Sequence, residues 1–197
     1  MNSKPSARKQ FLALIPARGG SKRLPGKNLK LFQEITLLQH AINHALGSKY
    51  ISESGEIAVS SDSEEILKSA QESPGIKLIR RPDYLSTDAS TSEACIAHAL
   101  FQYSADTLPT YTILLQPTSP LRTAADIDTC IELLLRIDGA IISNDPSGRR
   151  NGAIYAFRSS AFLERLDIPT TAGYHMRYDR SIDIDTIKDL EALQKRY

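Results

Sequence analysis

The sequence predicts a single α/β domain on a mixed, mostly parallel sheet, and three observations lead there. Short apolar runs bounded by turn residues alternate with amphipathic stretches of helical length, the pattern of strand–helix–strand units. The alternation runs through a 197-residue chain without repeat, low-complexity tract or linker, a length suited to one core. Hydrophobic residues make up 41% and charged residues 24%, so the chain can bury a core without disulfides or a structural metal.

The elements follow in order. Phe11-Leu-Ala-Leu-Ile15 stops at Pro16 and fits a strand buried on both faces. Leu37, Leu38, Ala41, Ile42, Ala45 and Leu46 recur at helical spacing. Glu56 to Ser60 reads as a second strand, and Ser63 caps a helix that reaches Glu72. Ile76 to Ile79 is a third strand, Thr91 to Tyr103 a helix, and Tyr111 to Gln116 a strongly apolar fourth strand. Ile127, Cys130, Ile131, Leu134 and Leu135 mark one face of another helix. Gly139 to Ile142 and Ala153 to Phe157 are further strands, and Thr186 to Arg196 is a closing helix.

Several function classes drop out. No apolar run approaches the roughly 20 residues that span a bilayer. Residues 1–10 are polar and basic without an apolar h-region and read as a flexible basic tail, not a secretory signal. Cys95 and Cys130 lie far apart on expected helices, which suits a reducing cytoplasm. A formal net charge of +1 argues against nucleic-acid and membrane-surface partners. Its distribution says more. Residues 1–30 carry eight Lys or Arg and no acid, leaving 16 basic and 23 acidic side chains elsewhere, a net of −7. One local anion site is implied.

In parallel sheets ligands sit beyond the carboxyl ends of the strands. That rule selects Ala17 to Asn28, Ser60-Ser61-Asp62, Arg80-Arg81-Pro82 and Gln116 to Arg122. The first segment is the richest. Its glycines, among them Gly20, let backbone N–H groups approach a phosphate, and Arg18, Lys22 and Lys27 bring positive charge. Ser21 and Asn28 add neutral hydrogen bonds. It is not a Walker A loop: five residues separate Gly20 from Gly26, one too many, and Asn28 stands where Ser or Thr should hold magnesium. A solvated basic loop is the plain alternative. His40 and His44 sit i, i+4 on a helix, but the Glu of an H-E-x-x-H motif is missing. No G-x-S-x-G supports a serine hydrolase.

Ile15-Pro-Ala-Arg-Gly-Gly-Ser-Lys-Arg-Leu-Pro-Gly-Lys-Asn28 resembles the signature loop of the acylneuraminate cytidylyltransferases, which make CMP-activated sialic, legionaminic and pseudaminic acids. Four more segments match in the same order: Arg81-Pro82 with Thr87-Asp-Ala-Ser-Thr-Ser92, Leu114 to Arg122, Asn151-Gly-Ala-Ile-Tyr155 and Ser181 to Thr186. The resemblance implies a Rossmann-like single domain of the nucleotide-diphospho-sugar transferase type over residues 11–197. It also implies Mg²⁺-dependent transfer of CMP from CTP to the anomeric hydroxyl of a nine-carbon 2-keto acid sugar, with release of pyrophosphate.

By that resemblance Arg18, Gly20, Ser21, Lys27 and Asn28 hold the nucleotide phosphates, and Arg81 and Ser92 line the cytidine pocket. Gln116 faces the junction of nucleotide and sugar, and Tyr155 touches sugar or belongs to the strand core. Arg18, Lys27, Gln116 and Asp185 would carry the chemistry. Asp183 and Asp185 would bind Mg²⁺; their i, i+2 spacing puts both carboxylates on one side of an extended chain. Capping of the helix from Thr186 is the other use of these acids.

The sequence departs from the family between Ser143 and Asn151. Relatives are several dozen residues longer there, with a dimerisation segment and part of the acceptor site. The homodimer that the family implies, and the identity of the acidic acceptor, therefore stay open. A nucleotide-binding relic, or transfer to a different acceptor, is the alternative.

Overall fold

A computed structural model describes residues 10–137, 139–168 and 172–197. The basic tail expected over residues 1–10 lies outside the described residues apart from Gln10. Nine strands and seven helices are described: β1 (Phe11–Pro16), β2 (Leu31–Phe32), β3 (Ile35–Thr36), α1 (Leu37–Gly47), α2 (Lys49–Ser54), β4 (Gly55–Ser61), α3 (Glu64–Gln71) and β5 (Ile76–Arg80) come first. They are followed by α4 (Ser92–Leu100), β6 (Tyr111–Leu115), α5 (Ala124–Leu134), β7 (Ala140–Asn144), β8 (Arg150–Arg158), α6 (Ser159–Arg165), β9 (Ala172–His175) and α7 (Ile187–Arg196).

Seven strands form one sheet in the order β5-β4-β1-β6-β8-β7-β9. The first four are parallel, β8 is antiparallel to both its neighbours, and β9 is parallel to β7. The mixed, mostly parallel sheet expected from the sequence is therefore the one observed. Strand β1 shows why it reads as an unbroken apolar run. Phe11, Ala13 and Ile15 pack on one face with residues of α1 and α5, and Leu12 and Leu14 pack on the other with α4 and α6. Helices on both faces leave no side of the strand for polar residues.

Side-chain caps set the helix starts. Ser63 accepts from Ile66 N at the head of α3, as expected, and Thr123–Asp126 and Thr186–Asp189 form capping boxes on α5 and α7. Four elements have no counterpart in the sequence reading: the β2–β3 hairpin, α2, α6 and β9. The hairpin turns through Gln33 and Glu34, both with positive φ (47° and 70°), where the usual Asn-Gly signal is missing. The other three are short, and α2 carries one buried residue, Ile51, too few for a periodic signal.

Among the described residues no helix is long and apolar enough to cross a membrane.

Candidate active site

The carboxyl ends of β1, β5 and β6 open on a cleft of about 540 Å³. Its walls come from the segments singled out by the sequence: Arg18, Ser21, Lys27, Asn28, Arg81, Ser92 and Gln116 all line it. A second recess of about 480 Å³ adjoins it, lined by Gln116, Tyr155, Asp183 and residues of the β7–β8 hairpin. Gln116 is common to both, so one amide side chain forms the wall between a cation-lined cleft and its neighbour.

The basic loop is held by its own polar groups. Asn28 is buried, and its Nδ2 donates to the Arg18 carbonyl at 2.9 Å, pinning the two ends of the loop together. The Gly19 N–H donates to Asp62 Oδ1 at 3.0 Å. A Cβ at Gly19 would lie 2.9 Å from Ser63 Cβ, so the steric need for glycine falls here. Gly20 is exposed and a Cβ there would meet nothing within 4 Å. Gly26 takes the left-handed conformation (φ 65°) and turns the chain into the short 3-10 turn at Lys27–Leu29.

The loop's cations are paired across the cleft. Asp88 bonds Lys22 Nζ at 2.7 Å and Arg18 Nη2 at 2.8 Å, and these partners hold its carboxyl below the usual range. Asp88 was not singled out from the sequence. It lies inside the Thr87–Ser92 segment that carries the family resemblance, but no role was assigned to it there. Arg81 is buried, with Nη2 donating to the Ser60 carbonyl and Nη1 to Cys95 Sγ, while Ser92 opens α4 behind the Thr91 cap.

The two acids of the Ser181–Thr186 segment have different surroundings. Asp183 lines the second recess; burial pushes its carboxyl above the usual range, opposed by a hydrogen bond from Thr118. Its Oδ1 is buried and has no hydrogen-bond partner among the described residues. Asp185 instead meets Arg23 Nη1 at 3.0 Å and Lys27 Nζ at 3.1 Å. Neither acid caps α7, because Thr186 and Asp189 do so, with Asp189 Oδ2 also accepting from Asp185 N. The capping use considered for them is thereby filled by other residues.

A buried carboxylate oxygen without a donor fits a hard cation, and Mg²⁺ takes one or two carboxylates with phosphates and water. Among the described residues no three His, Cys, Asp or Glu side chains converge, so such an ion would need substrate oxygens. His40 and His44 are used otherwise. The His40 ring shares a hydrogen bond with the Phe32 carbonyl at 2.8 Å, and burial, with Arg122 and His40 nearby, lowers His44 to about 3.

Two further residues shape the site. Arg122 is 1% exposed, and its Nη1 donates to the carbonyls of Gln116 (3.1 Å) and Ala153 (2.7 Å), tying the end of β6 to β8. Asn151 Oδ1 accepts from Ser143 Oγ at 2.6 Å and from Ala153 N, fixing the start of β8. Both lie inside motifs read from the sequence, but their contacts depend on β8 being antiparallel. That direction brings the beginning of β8, not its end, to the ligand edge of the sheet.

The cytidylyltransferase family model matches residues 12–149. The CMP-N,N'-diacetyllegionaminic acid synthase of Legionella pneumophila is 37% identical over 139 residues, 70% of this chain and 58% of that one. An N-acylneuraminate cytidylyltransferase of Streptococcus agalactiae serotype V is 29% identical over 215 aligned positions, covering 90% of this chain and 51% of that one. That alignment is longer than the 197-residue chain, so the relative carries residues without a counterpart here. The chain thus spans between half and three fifths of these two relatives. A solved CMP:2-keto-3-deoxy-manno-octonic acid synthetase in complex with CTP superposes with a TM-score of 0.75 at 17% identity, over 95% of this chain and 98% of that one. At that identity the likeness concerns the fold. With the family model covering the sheet from β1 through β7 and the loops that wall the cleft, this chain belongs to the cytidylyltransferase family.

Proposed function

We propose that the chain transfers CMP from CTP to the anomeric hydroxyl of a nine-carbon 2-keto acid sugar of the sialic or legionaminic type, releasing pyrophosphate. The observation that carries this reading is Gln116 as the shared wall of two adjoining recesses, one rich in cations and one polar. Two substrates meeting at one bond need that layout. The names of the relatives, a legionaminic and an N-acylneuraminate enzyme, support the same substrate class.

The chain's part is positioning and charge neutralisation, since phosphoryl transfer needs no covalent nucleophile. Arg18, Lys22 and Lys27 would exchange their carboxylate partners for triphosphate oxygens, with Ser21 adding a neutral donor. Asn28 keeps the loop's backbone in register, and Arg81 and Ser92 flank the base. Arg122 acts as a positioning residue, holding Gln116 through its carbonyl. Tyr155 closes the acceptor recess; burial raises its phenol, so it stays a neutral donor. A Mg²⁺ held by Asp183, with Asp185 joining once its cations move to phosphate, would neutralise charge on the departing pyrophosphate.

Further parts of the reading are a cytoplasmic location, a family-type homodimer, and a β7–β8 hairpin standing in for the longer segment of relatives. Pyrophosphate release measured with CTP, Mg²⁺ and a panel of nine-carbon keto acids tests the central claim. Turnover with one acceptor, abolished by EDTA and restored by Mg²⁺, is expected. CTP binding without turnover on any acceptor would make the chain a nucleotide-binding relic.

A further inference from the structure

We propose that the buried Asp126–Arg180 pair positions the acid-bearing segment 181–186 against Gln116, the wall between the two recesses. The inference rests on the transferase reading above, in which Asp183 and Asp185 hold the metal. Neither Asp126 nor Arg180 lines either recess, so both act through other residues.

Helix capping accounts for only one oxygen of this carboxylate. Asp126 is fully buried, and its Oδ2 accepts from Thr123 N at 2.9 Å and Thr123 Oγ1 at 2.8 Å, which closes the capping box of α5. The matching box on α7 works through Oδ2 of a half-buried Asp189. The second oxygen of Asp126 has another task. Its Oδ1 accepts from Tyr174 Oη at 2.7 Å and pairs with Arg180 Nη2 at 3.1 Å, while Arg180 Nη1 donates to Thr123 Oγ1 at 3.2 Å. A buried ion pair adds little net stability over a well-packed apolar replacement, because desolvation offsets the attraction. What this one fixes is register: a planar guanidinium bonded at two points joins the head of α5 to the chain three residues before Asp183.

The segment needs such an anchor. Between β9 and α7, residues 176–186 form neither helix nor strand, so no regular ladder sets the direction of their side chains. Met176 N donates to the Asn144 carbonyl at 2.9 Å, and Ile184 N to the Thr118 carbonyl at 2.8 Å. Arg180 supplies a tie between these two, and with Ile184 it brackets Asp183. The same carboxylate also serves the other arm of the site. Arg122 is buried within reach of Asp126, whose charge favours the protonated guanidinium that burial disfavours. Arg122 in turn holds the Gln116 carbonyl at 3.1 Å. One buried anion thus serves two guanidinium groups, one tied to the wall between the recesses and one to the chain that carries the acids.

The test compares wild type with Arg180→Met and Arg180→Lys, which leave Asp126 and its cap in place. CTP binding is titrated by calorimetry in EDTA and again with Mn²⁺, and water-proton relaxation reads the bound Mn²⁺; neither measurement needs turnover. Wild type should bind CTP more tightly with Mn²⁺ than in EDTA. Arg180→Met should lose about tenfold in Mn²⁺–CTP affinity, the scale for removing a group that orients a metal ligand. Its binding of CTP in EDTA should not change. Arg180→Lys, with a point charge in place of the fork, should lose about two- to fivefold. Circular dichroism establishes that each variant is folded. Wild-type affinity for Mn²⁺–CTP in folded Arg180→Met overturns the proposal, as does an equal loss in EDTA and in Mn²⁺, the mark of a merely structural role. If Arg180→Met does not fold, Arg180→Lys decides: a loss confined to Mn²⁺ supports the proposal and wild-type affinity overturns it. Failure of the underlying metal reading looks different: wild type then gains nothing from Mn²⁺, and the proposal falls with it.

Discussion

Lys27 Nζ lies 3.1 Å from Asp185 Oδ1 and 3.0 Å from the Ile184 carbonyl, fastening the basic loop to a segment near the other end of the chain. The Lys27 side chain is 13% exposed, so this contact is one of the few ion pairs here shielded from solvent on one side. It places the proposed phosphate cation and the two acids of the proposed metal site in one unit.

Because the two groups act as a unit, their effects should not add. Lys27→Met and Asp185→Asn are each expected to lower kcat/KM for CTP by about 10²- to 10³-fold, the scale for losing one group that stabilises transition-state charge. The double variant should fall little below the worse single one. A double-mutant cycle on pyrophosphate release checks this, and strict additivity would mean that the pair has no joint role.

Asp88 holds Arg18 and Lys22, two of the cations proposed to bind the nucleotide phosphates. Asp88→Asn should therefore strengthen CTP binding, by about two- to fivefold, since exposed ion pairs are weak competitors. Titration of CTP into both proteins reads the difference. Weaker binding by the variant would show that Asp88 organises the loop for CTP and does not compete with it.

At Gly152 a Cβ would stand 2.8 Å from Gln116 Oε1, on a backbone with φ 75°. Gly152→Ala is expected to cost about 1–3 kcal/mol of stability from the backbone alone. It should also displace Gln116. The acceptor KM and kcat should suffer more than CTP affinity, a split that steady-state kinetics with either substrate varied will show.

His44 has its pKa lowered to about 3, first by burial and then by the charges of Arg122 and His40. The unfolded chain takes up a proton near pH 6.5, which the folded chain refuses down to about 3. Stability is thus complete above pH 6.5 and falls as the pH drops below it, by up to about 1.4 kcal/mol per pH unit. Denaturant unfolding between pH 7 and pH 5 should show this slope in wild type and a flatter one in His44→Leu.

Much of the lining of the candidate cleft was legible in the sequence because it comes from segments that follow parallel strands. Arg18, Ser21, Lys27 and Asn28 sit in one loop, and Arg81, Ser92 and Gln116 follow later strands or open a helix at the same edge. What was not legible required two distant segments to be brought together. Asp88 becomes part of the site only by reaching Arg18 and Lys22 from its own loop. Arg122 closes a motif read from the sequence, but its burial between two strand ends was not legible there.

The sequence alone determined the mostly parallel sheet, the helices that cover it, and the edge at which the basic loop opens. Local patterns do this, since apolar periodicity and caps act over a few residues. The tertiary structure decided the rest. It gave Asp183 a buried place in the recess and Asp185 two cationic partners. It also set β8 antiparallel with a bulge, so that Arg150 and Tyr155 face the same recess. Strand direction and register arise from long-range pairing, and a single-residue slip reverses every side chain, which no local pattern fixes.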